Sequence, residues 1–449
     1  MKSRAALSLV LLPLATCGEP SAAVPPPVIL VTLDTVRADT LSCYGAPPGS
    51  TPHLDGFAGV ADRYEKCVSA APWTMPTHAS LFTGLYPFEH GAHSFLPETI
   101  GDGDNVFGLH PRFETLAEAF AARGYRTAGI VANAHYLRPT LGLEDGFETW
   151  DVSREPGGRV TARALAWLDE YGADPRPTFL FVNYMDAHRP YRTGDPRDGA
   201  VRKLNALIEQ VLVRGEESEP LGSEVRALHQ KAVSNLDRIV GTLFDGLKER
   251  GLFERSIIVV TSDHGEAFGG HGVVEHSKDV YEDLVRIPLL VKLPGQTAGS
   301  VKSERASSVD VAGLVAAALA GTDAESLAAV FPRTPGGHPV VVENHFSRVK
   351  DLKRYGERFR RQRRAIYDGP LKLVVGSDGT AELYHVEDDP FETVDLAADR
   401  PEDVERLSRE LEETLARGVY RGDRVLPGQL DAAQRQEMNA LGYGGGDER

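Results

Sequence analysis

Continuous apolar runs alternate along the chain with longer amphipathic stretches. Val28-Ile29-Leu30-Val31-Thr32-Leu33, Thr178-Phe179-Leu180-Phe181-Val182 and Ser256-Ile257-Ile258-Val259-Val260 are apolar almost throughout. A strand exposed on one face would alternate, so these runs predict strands of a parallel sheet covered on both faces. Arg126–Ala132 and Ile287–Leu293 read as two further strands. The spacing predicts helices over Arg112–Arg123, Val160–Tyr171 and Ser223–Arg250, with Gly124 and Gly251 just past the first and last. This order predicts an α/β fold with a central, mostly parallel sheet flanked by helices. Tyr191–Glu219 reads as a polar, irregular insertion over the site.

After His345 the pattern changes. Arg348–Arg364 is strongly basic, short strands are predicted at Ala365–Tyr367, Leu371–Val375 and Ala381–Tyr384, and a charged helix at Pro401–Arg417. The expected organisation is a catalytic domain over 28–345 and a small antiparallel sheet with a helix over 346–449.

At the other end, Lys2 and Arg4 precede a short apolar run, Ala5–Leu14, and Leu14-Ala15-Thr16-Cys17 follows. The run is short for a membrane span and reads as an export signal over 1–17. It resembles a lipoprotein signal in which Cys17 carries lipid and attaches the protein to a periplasmic or outer-membrane surface; secretion after cleavage is the other outcome. Residues 18–27 (GEPSAAVPPP) form a semi-rigid linker. Cys43 and Cys67 are the only other cysteines, readable as a disulfide of an exported protein or as two thiols.

The formal net charge of −16 over 449 residues excludes nucleic acid as an expected partner. An anionic substrate would then need a local positive field. The chain offers the means at its strand ends. Asp34 follows the first apolar run, Asp186 and His188 follow the second, and Asp263 and His264 follow the third. An Asp after a strand commonly caps the next helix. Several such groups on one sheet edge instead suit a divalent cation. Ala71–Gly84 (APWTMPTHASLFTG) reads as a turn that delivers the Thr74 hydroxyl to a helix N-terminus. Thr74 is there either an N-cap or a nucleophile that a metal activates.

Several of these segments resemble the sulfatases of the alkaline-phosphatase superfamily. Leu33–Asp39 with Leu41–Gly45 is similar to their opening motif. Thr74–Gly84 is similar to their nucleophile motif, Asp186–Tyr191 to their His-x-Pro segment and Thr261–Glu266 to their second metal motif. Lys278–Glu282, Arg286–Pro288 and Glu382–Pro390 follow in the family's order. The resemblance implies one divalent ion (Ca, Mn, Mg or Zn) held by Asp34, Asp263, His264 and Thr74. It implies Thr74 as nucleophile, and His188 and Lys278 at the ester or leaving oxygen, with His78 in the place of the motif's Arg. Thr35 stands where the family has a second acidic ligand, and Val131–His135 lacks the family's Gly-Lys-x-His.

Thr74 replaces the Cys or Ser that typical sulfatases oxidise to formylglycine, and a threonine cannot yield that aldehyde. No formylglycine is therefore expected. A threonyl phosphate can be opened by water at phosphorus, whereas a threonyl sulfate lacks the aldehyde's route of collapse. The expected function is a sulfatase-like hydrolase of sulfate, phosphate or phosphonate esters, acting on an anionic small molecule or glycan. A transferase of phospho-head groups through threonyl phosphate, and a degenerate sulfatase that binds sulfated glycans, are the alternatives.

Overall fold

The computed structural model describes residues 25–95, 106–170, 174–319, 324–347 and 349–425; Cys17 and the rest of the expected signal lie outside them. The described strands are β1 (Val28–Leu33), β2 (Asp62–Val68), β3 (Arg126–Val131), β4 (Thr149–Val152), β5 (Thr178–Tyr184), β6 (Ile257–Thr261), β7 (Ala267–Phe268), β8 (Val274–Glu275), β9 (Arg286–Ile287), β10 (Leu289–Lys292), β11 (Ser300–Ser307), β12 (Val340–Asn344), β13 (Arg363–Asp368), β14 (Leu371–Gly376) and β15 (Ala381–His385). The large sheet runs β11-β2-β10-β6-β1-β5-β3-β4, with β9 also paired to β2. From β6 to β4 every pairing is parallel, and β10 is antiparallel to both of its neighbours.

The apolar runs are strands because each feeds two cores. Val28 and Leu30 of β1, Phe179 and Phe181 of β5, and Ile257 and Val259 of β6 join one buried cluster. Their sequence neighbours Ile29, Val31, Leu180, Val182, Ile258 and Val260 join the other. Successive side chains of a strand point to opposite faces, so a run covered on both sides has no place for a polar residue. Full burial of each such side chain contributes on the order of 1.5–3 kcal/mol. Met75, Ala79, Leu81 and Phe82 of the helix Thr74–Thr83 cover one face. Val233, Leu236, Val240 and Leu243 of the helix Glu219–Glu249 cover the other, with Val160 and Ala164 of the helix Gly157–Glu170.

Three expected boundaries move. The helix expected at Arg112 starts at Leu116, because Thr115 accepts from the Glu118 amide (3.1 Å) while Glu118 accepts from the Thr115 amide (2.8 Å), a reciprocal cap that fixes the start. The stretch expected to be irregular after Tyr191 contains a helix, Ala200–Ile208. Its Leu204, Leu207 and Ile208 pack with Val225 and Leu228 of the long helix, so its polar look is that of an amphipathic surface helix. The second sheet, antiparallel in the order β12-β13-β14-β15, begins at Val340, ahead of the change in character at His345. The helix Pro401–Ala416 covers one of its faces through Leu407 and Leu411. Cys43 and Cys67 are free thiols. Among the described residues no helix is long and apolar enough to cross a membrane.

Candidate active site

The carboxyl ends of β1, β3, β5 and β6 lie side by side, and the residues just beyond them build the site. β1 is central, flanked by β5 and β6. Asp34 follows β1, and Asp263 and His264 follow β6 by two and three residues. All three side chains are completely buried. One donor atom from each lies within 4.8 Å of the others. His264 Nε2 is 3.8 Å from Asp34 Oδ1 and 3.5 Å from Asp263 Oδ2. Those same three atoms have no hydrogen-bond partner. The other ring nitrogen of His264 donates to the Gly265 carbonyl at 2.9 Å, which leaves Nε2 as a bare lone pair.

Three buried acceptors facing one another are costly as they stand unless a proton or a cation lies between them. A divalent cation would satisfy all three at once, and two carboxylates with a neutral imidazole are a donor set for Zn, Mn, Mg or Ca. The electrostatics agree. Burial, and then the neighbouring Asp263, push Asp34 up to about 8. Burial pushes Asp263 up to about 7 and the His264 imidazolium below its ordinary range. A site that resists two negative charges is one that a positive charge would stabilise.

Thr74 is the first residue of its helix. The N-cap position belongs to Trp73, and Thr74 makes no capping bond with its side chain. Its hydroxyl instead faces Asn133, whose Nδ2 donates to Thr74 Oγ1 (3.3 Å) and to Asp34 Oδ2 (3.0 Å). Asn133 follows β3 and was not among the residues singled out from the sequence. Its Oδ1 accepts from the His135 and Tyr136 amides, so in sequence it looks like any turn asparagine. Thr35 brings no third acid: its hydroxyl turns back to the Asp34 carbonyl (2.7 Å). Its backbone, at a φ of +62°, aims its amide at Asp263 Oδ1 (3.4 Å).

His78 lies one helical turn beyond Thr74 and is held inside the protein. Nδ1 donates to the Thr74 carbonyl (2.9 Å), and Nε2 is 3.2 Å from the Thr32 hydroxyl, which accepts from Asn183. Burial drives the ring's protonation down to about 3. This neutral imidazole has both nitrogens engaged, and its Nδ1 lies 3.8 Å from Asp263 Oδ2. Asp186 is a cap: both of its carboxylate oxygens accept from the Gly157 amide that opens the helix Gly157–Glu170.

His188, just past β5, is buried, with Nδ1 on the Arg189 carbonyl (2.8 Å). Burial, outweighing that bond, lowers it to about 4, and His264 adds to the effect. Lys278 is buried too, its Nζ donating to the His276 carbonyl (3.1 Å) with Glu275 at 3.8 Å. Between these two stands His276, a second residue that sequence reasoning passed over. Its ring centroid is 4.5 Å from that of His264 and 5.1 Å from that of His188. Its Nδ1 is 3.1 Å from Glu266 Oε2. The signal lay in the DHGE stretch, whose buried Glu266 needs a partner.

The loop that carries His276 and Lys278 is fixed at both ends. The Ser277 amide donates to the Pro72 carbonyl (3.0 Å), which ties the loop to the turn before Thr74. On its far side Arg363 of β13 donates to Asp279 (3.0 Å) and Glu382 (2.8 Å). Lys372 of β14 pairs with Glu282 (3.1 Å) and Glu392 (2.7 Å) and donates to the Val280 carbonyl (2.7 Å). The second sheet thereby holds one wall of the site.

This arrangement agrees with what the chain is similar to. Residues 26–322 match the model of the family described as Sulfatase. The chain is 26% identical over 299 residues to the ulvan-active sulfatase of Formosa agariphila, covering 60% of this chain and 56% of that protein. It is 26% identical over 356 residues to human arylsulfatase A, covering 66% and 64% respectively. It thus matches less than two thirds of the length of either relative. The phosphonate monoester hydrolase of Agrobacterium radiobacter superposes with a TM-score of 0.65 at 20% identity, over 88% of this chain and 96% of that one, a likeness of fold. All three bear the names of ester hydrolases. A family match over two thirds of the sequence, on an alkaline-phosphatase fold whose strand ends gather at one edge, leaves one assignment: the chain belongs to the sulfatase family.

Proposed function

We propose that this chain is a metal-dependent ester hydrolase that uses Thr74 as its nucleophile and turns over phosphorus esters faster than sulfate esters. The observation that carries the reading is the convergence of three orphaned acceptors, on Asp34, Asp263 and His264, beside a threonine hydroxyl that caps nothing. A divalent ion held by those three residues would supply positive charge and lower the pKa of a neighbouring hydroxyl. The chain's own residues do the rest. Asn133 orients the Thr74 hydroxyl through Nδ2. His276 or His188, neutral at the start, takes the Thr74 hydroxyl proton as Oγ attacks phosphorus, and passes it to the leaving oxygen as that bond breaks. Water then attacks phosphorus in line, gives a proton to the same imidazole, and that proton returns to Thr74 Oγ as it departs. His276 sits beside His264, His188 lies next to His276, and Glu266 is placed to fix the tautomer of His276.

The phosphorus preference follows from the side chain itself. Threonine carries a methyl on its Cβ and has no aldehyde with which to expel sulfate. The test is a panel of aryl sulfate, phosphate monoester, phosphate diester and phosphonate esters with several metals. The expected result is Thr74-dependent turnover led by a phosphorus ester, with a phosphorylated Thr74 peptide trapped in acid. Aryl sulfate hydrolysed far better than every phosphorus ester would overturn the mechanism while leaving the family unaffected. The relatives include an ulvan-active sulfatase and an arylsulfatase, so ulvan belongs in the panel beside the aryl sulfate. Export and lipidation at Cys17 form part of the proposal. Palmitate labelling of the expressed full chain, lost in Cys17→Ser, is the expected outcome, and unlabelled protein retaining Met1 in the cytoplasm refutes it.

A further inference from the structure

His229 lies in the long helix Glu219–Glu249 and is completely buried. Tyr191 stands edge-on to its ring at 5.3 Å between centroids, and Phe268 tilts against it at the same distance. Its Nε2 is 3.1 Å from the Thr35 carbonyl. A carbonyl can only accept, so Nε2 carries a proton and donates it. Burial, with Arg37 next in effect, pushes protonation of the ring down to about 3, so the ring is neutral and Nδ1 is bare. Among the described residues Nδ1 has no hydrogen-bond partner. A buried nitrogen without a partner calls for an explanation, because an apolar side chain would fill the same place between two rings without that cost.

The explanation lies at the other end of the bond. Thr35 has a φ of +62°, a left-handed backbone that a β-branched residue rarely adopts and that persists only where its surroundings hold it. All of its polar atoms are engaged. The hydroxyl donates to the Asp34 carbonyl (2.7 Å), the amide donates to Asp263 Oδ1 (3.4 Å), and the carbonyl accepts from His229. The His264 amide donates to the same Oδ1 at 2.9 Å. With Oδ1 taken by two amides, Oδ2 is the bare oxygen, 3.5 Å from His264 Nε2. We propose that His229 is a positioning residue of the candidate metal site. By holding Thr35 left-handed it keeps the Thr35 amide on Asp263 Oδ1, which leaves Oδ2 for a cation. This rests on the reading of Asp34, Asp263 and His264 as cation ligands. Thr35 then serves the site through its amide and not as a ligand.

The test is a double-mutant cycle between positions 229 and 35 in the full-length protein. It is read by equilibrium dialysis of chelator-treated protein against Mn²⁺, Zn²⁺, Mg²⁺ or Ca²⁺, and by Tm without metal. His229→Leu removes the donor. Thr35→Gly removes the need for it, since glycine adopts a positive φ freely. With Thr35 in place, His229→Leu is expected to weaken binding of the ion about 10–100-fold, and in the Thr35→Gly background the same change should cost less than about threefold. His229→Gln, whose amide can donate to the same carbonyl, should stay within about threefold of the wild type. The drop in Tm caused by His229→Leu should roughly halve in the Thr35→Gly background. Equal drops in Tm in both backgrounds, an affinity unmoved by His229→Leu, or His229→Gln as weak as His229→Leu overturns the proposal. A His229→Leu protein that folds only with glycine at position 35 upholds it, and one that folds in neither background refutes it. A wild type that takes up none of the four ions refutes the cation reading instead. The Tm cycle then decides the link between His229 and Thr35 alone: a halved drop upholds it, and an equal drop refutes it.

Discussion

Two regions of this molecule bury charge, and they do so in opposite ways. Around Arg363 and Lys372 each cation lies between acids: Arg363 with Asp279 and Glu382, Lys372 shared by Glu282 and Glu392, and the Tyr367 hydroxyl donating to Glu282 at 2.6 Å. Around Asp34, Asp263 and His264, two acids and a neutral imidazole face one another with acceptor atoms left over. The paired region is complete as it stands and contributes architecture. The unpaired region holds its side chains against their own repulsion, which is the arrangement a bound cation would relieve. Burial of charge therefore does not by itself mark a site; burial without a partner does.

Substitutions can break this contrast in order of size. Thr74→Ala should have the largest effect, a fall in kcat on the order of 10⁴-fold, about 5.5 kcal/mol in the barrier, with the fold unchanged by circular dichroism. Arg363→Ala strands buried carboxylates in the paired region. It should cost about 3 kcal/mol in urea unfolding, and a loss under about 1 kcal/mol would show the clamp to be ornamental. Asn133→Ala removes the amide that links Thr74 to Asp34, and should lower kcat/KM about 10–100-fold while metal content, read by plasma mass spectrometry, stays within about twofold.

The sharpest contrast is one of sign. In chelator-treated protein Asp34→Asn removes like-charge repulsion and should raise Tm by roughly 1–3 °C, although the same variant should fail to retain metal. A lowered Tm would mean that Asp34 is a structural acid after all. The smallest effect concerns His338, whose Nε2 lies 2.7 Å from Asp310 Oδ1. Burial opposes its charge, but the hydrogen bond and the charge of Asp310 outweigh that and raise its pKa. A raised folded pKa means stability that is fully present below the unfolded value of about 6.5 and is lost as pH rises through the folded value. His338→Gln should flatten that slope in Tm against pH, by less than about 1 kcal/mol.

Most of the site was legible because its residues follow runs that can only be buried strands. Asp34 and Asp263 stand at the ends of β1 and β6, where a reader looks first. Thr74 announces itself by two prolines and an apolar helix. Asn133 escaped because it also serves as a turn residue, so its capping bonds hide its second use. His276 escaped because it lies in a short irregular loop, where no periodicity singles out a position. Asp186 shows the converse: a strand-end acid in the right segment that only caps a helix. In the fold, β2 (DRYEKCV) and β11 (SVKSERAS) went unread because their polar residues give no buried run. β11 is the edge strand with β2 as its partner, and β2 lies next to it, between β11 and β10. Helix Ala200–Ile208 was hidden by its solvent face.

The tie between the His276–Lys278 loop and the second sheet sets a rule for recombination. A chimera that joins residues before 345 to another protein's C-terminal sheet would keep every strand-end residue of the site. It would also present Asp279 and Glu282 to a surface without Arg363 and Lys372. Such hybrids should fold poorly or misplace the loop unless those four positions travel together. A crossover that leaves the wall intact therefore keeps the second sheet, Glu392 and the helix Pro401–Ala416 with the strand-end residues, and a domain border drawn at the start of the second sheet would cut through that wall.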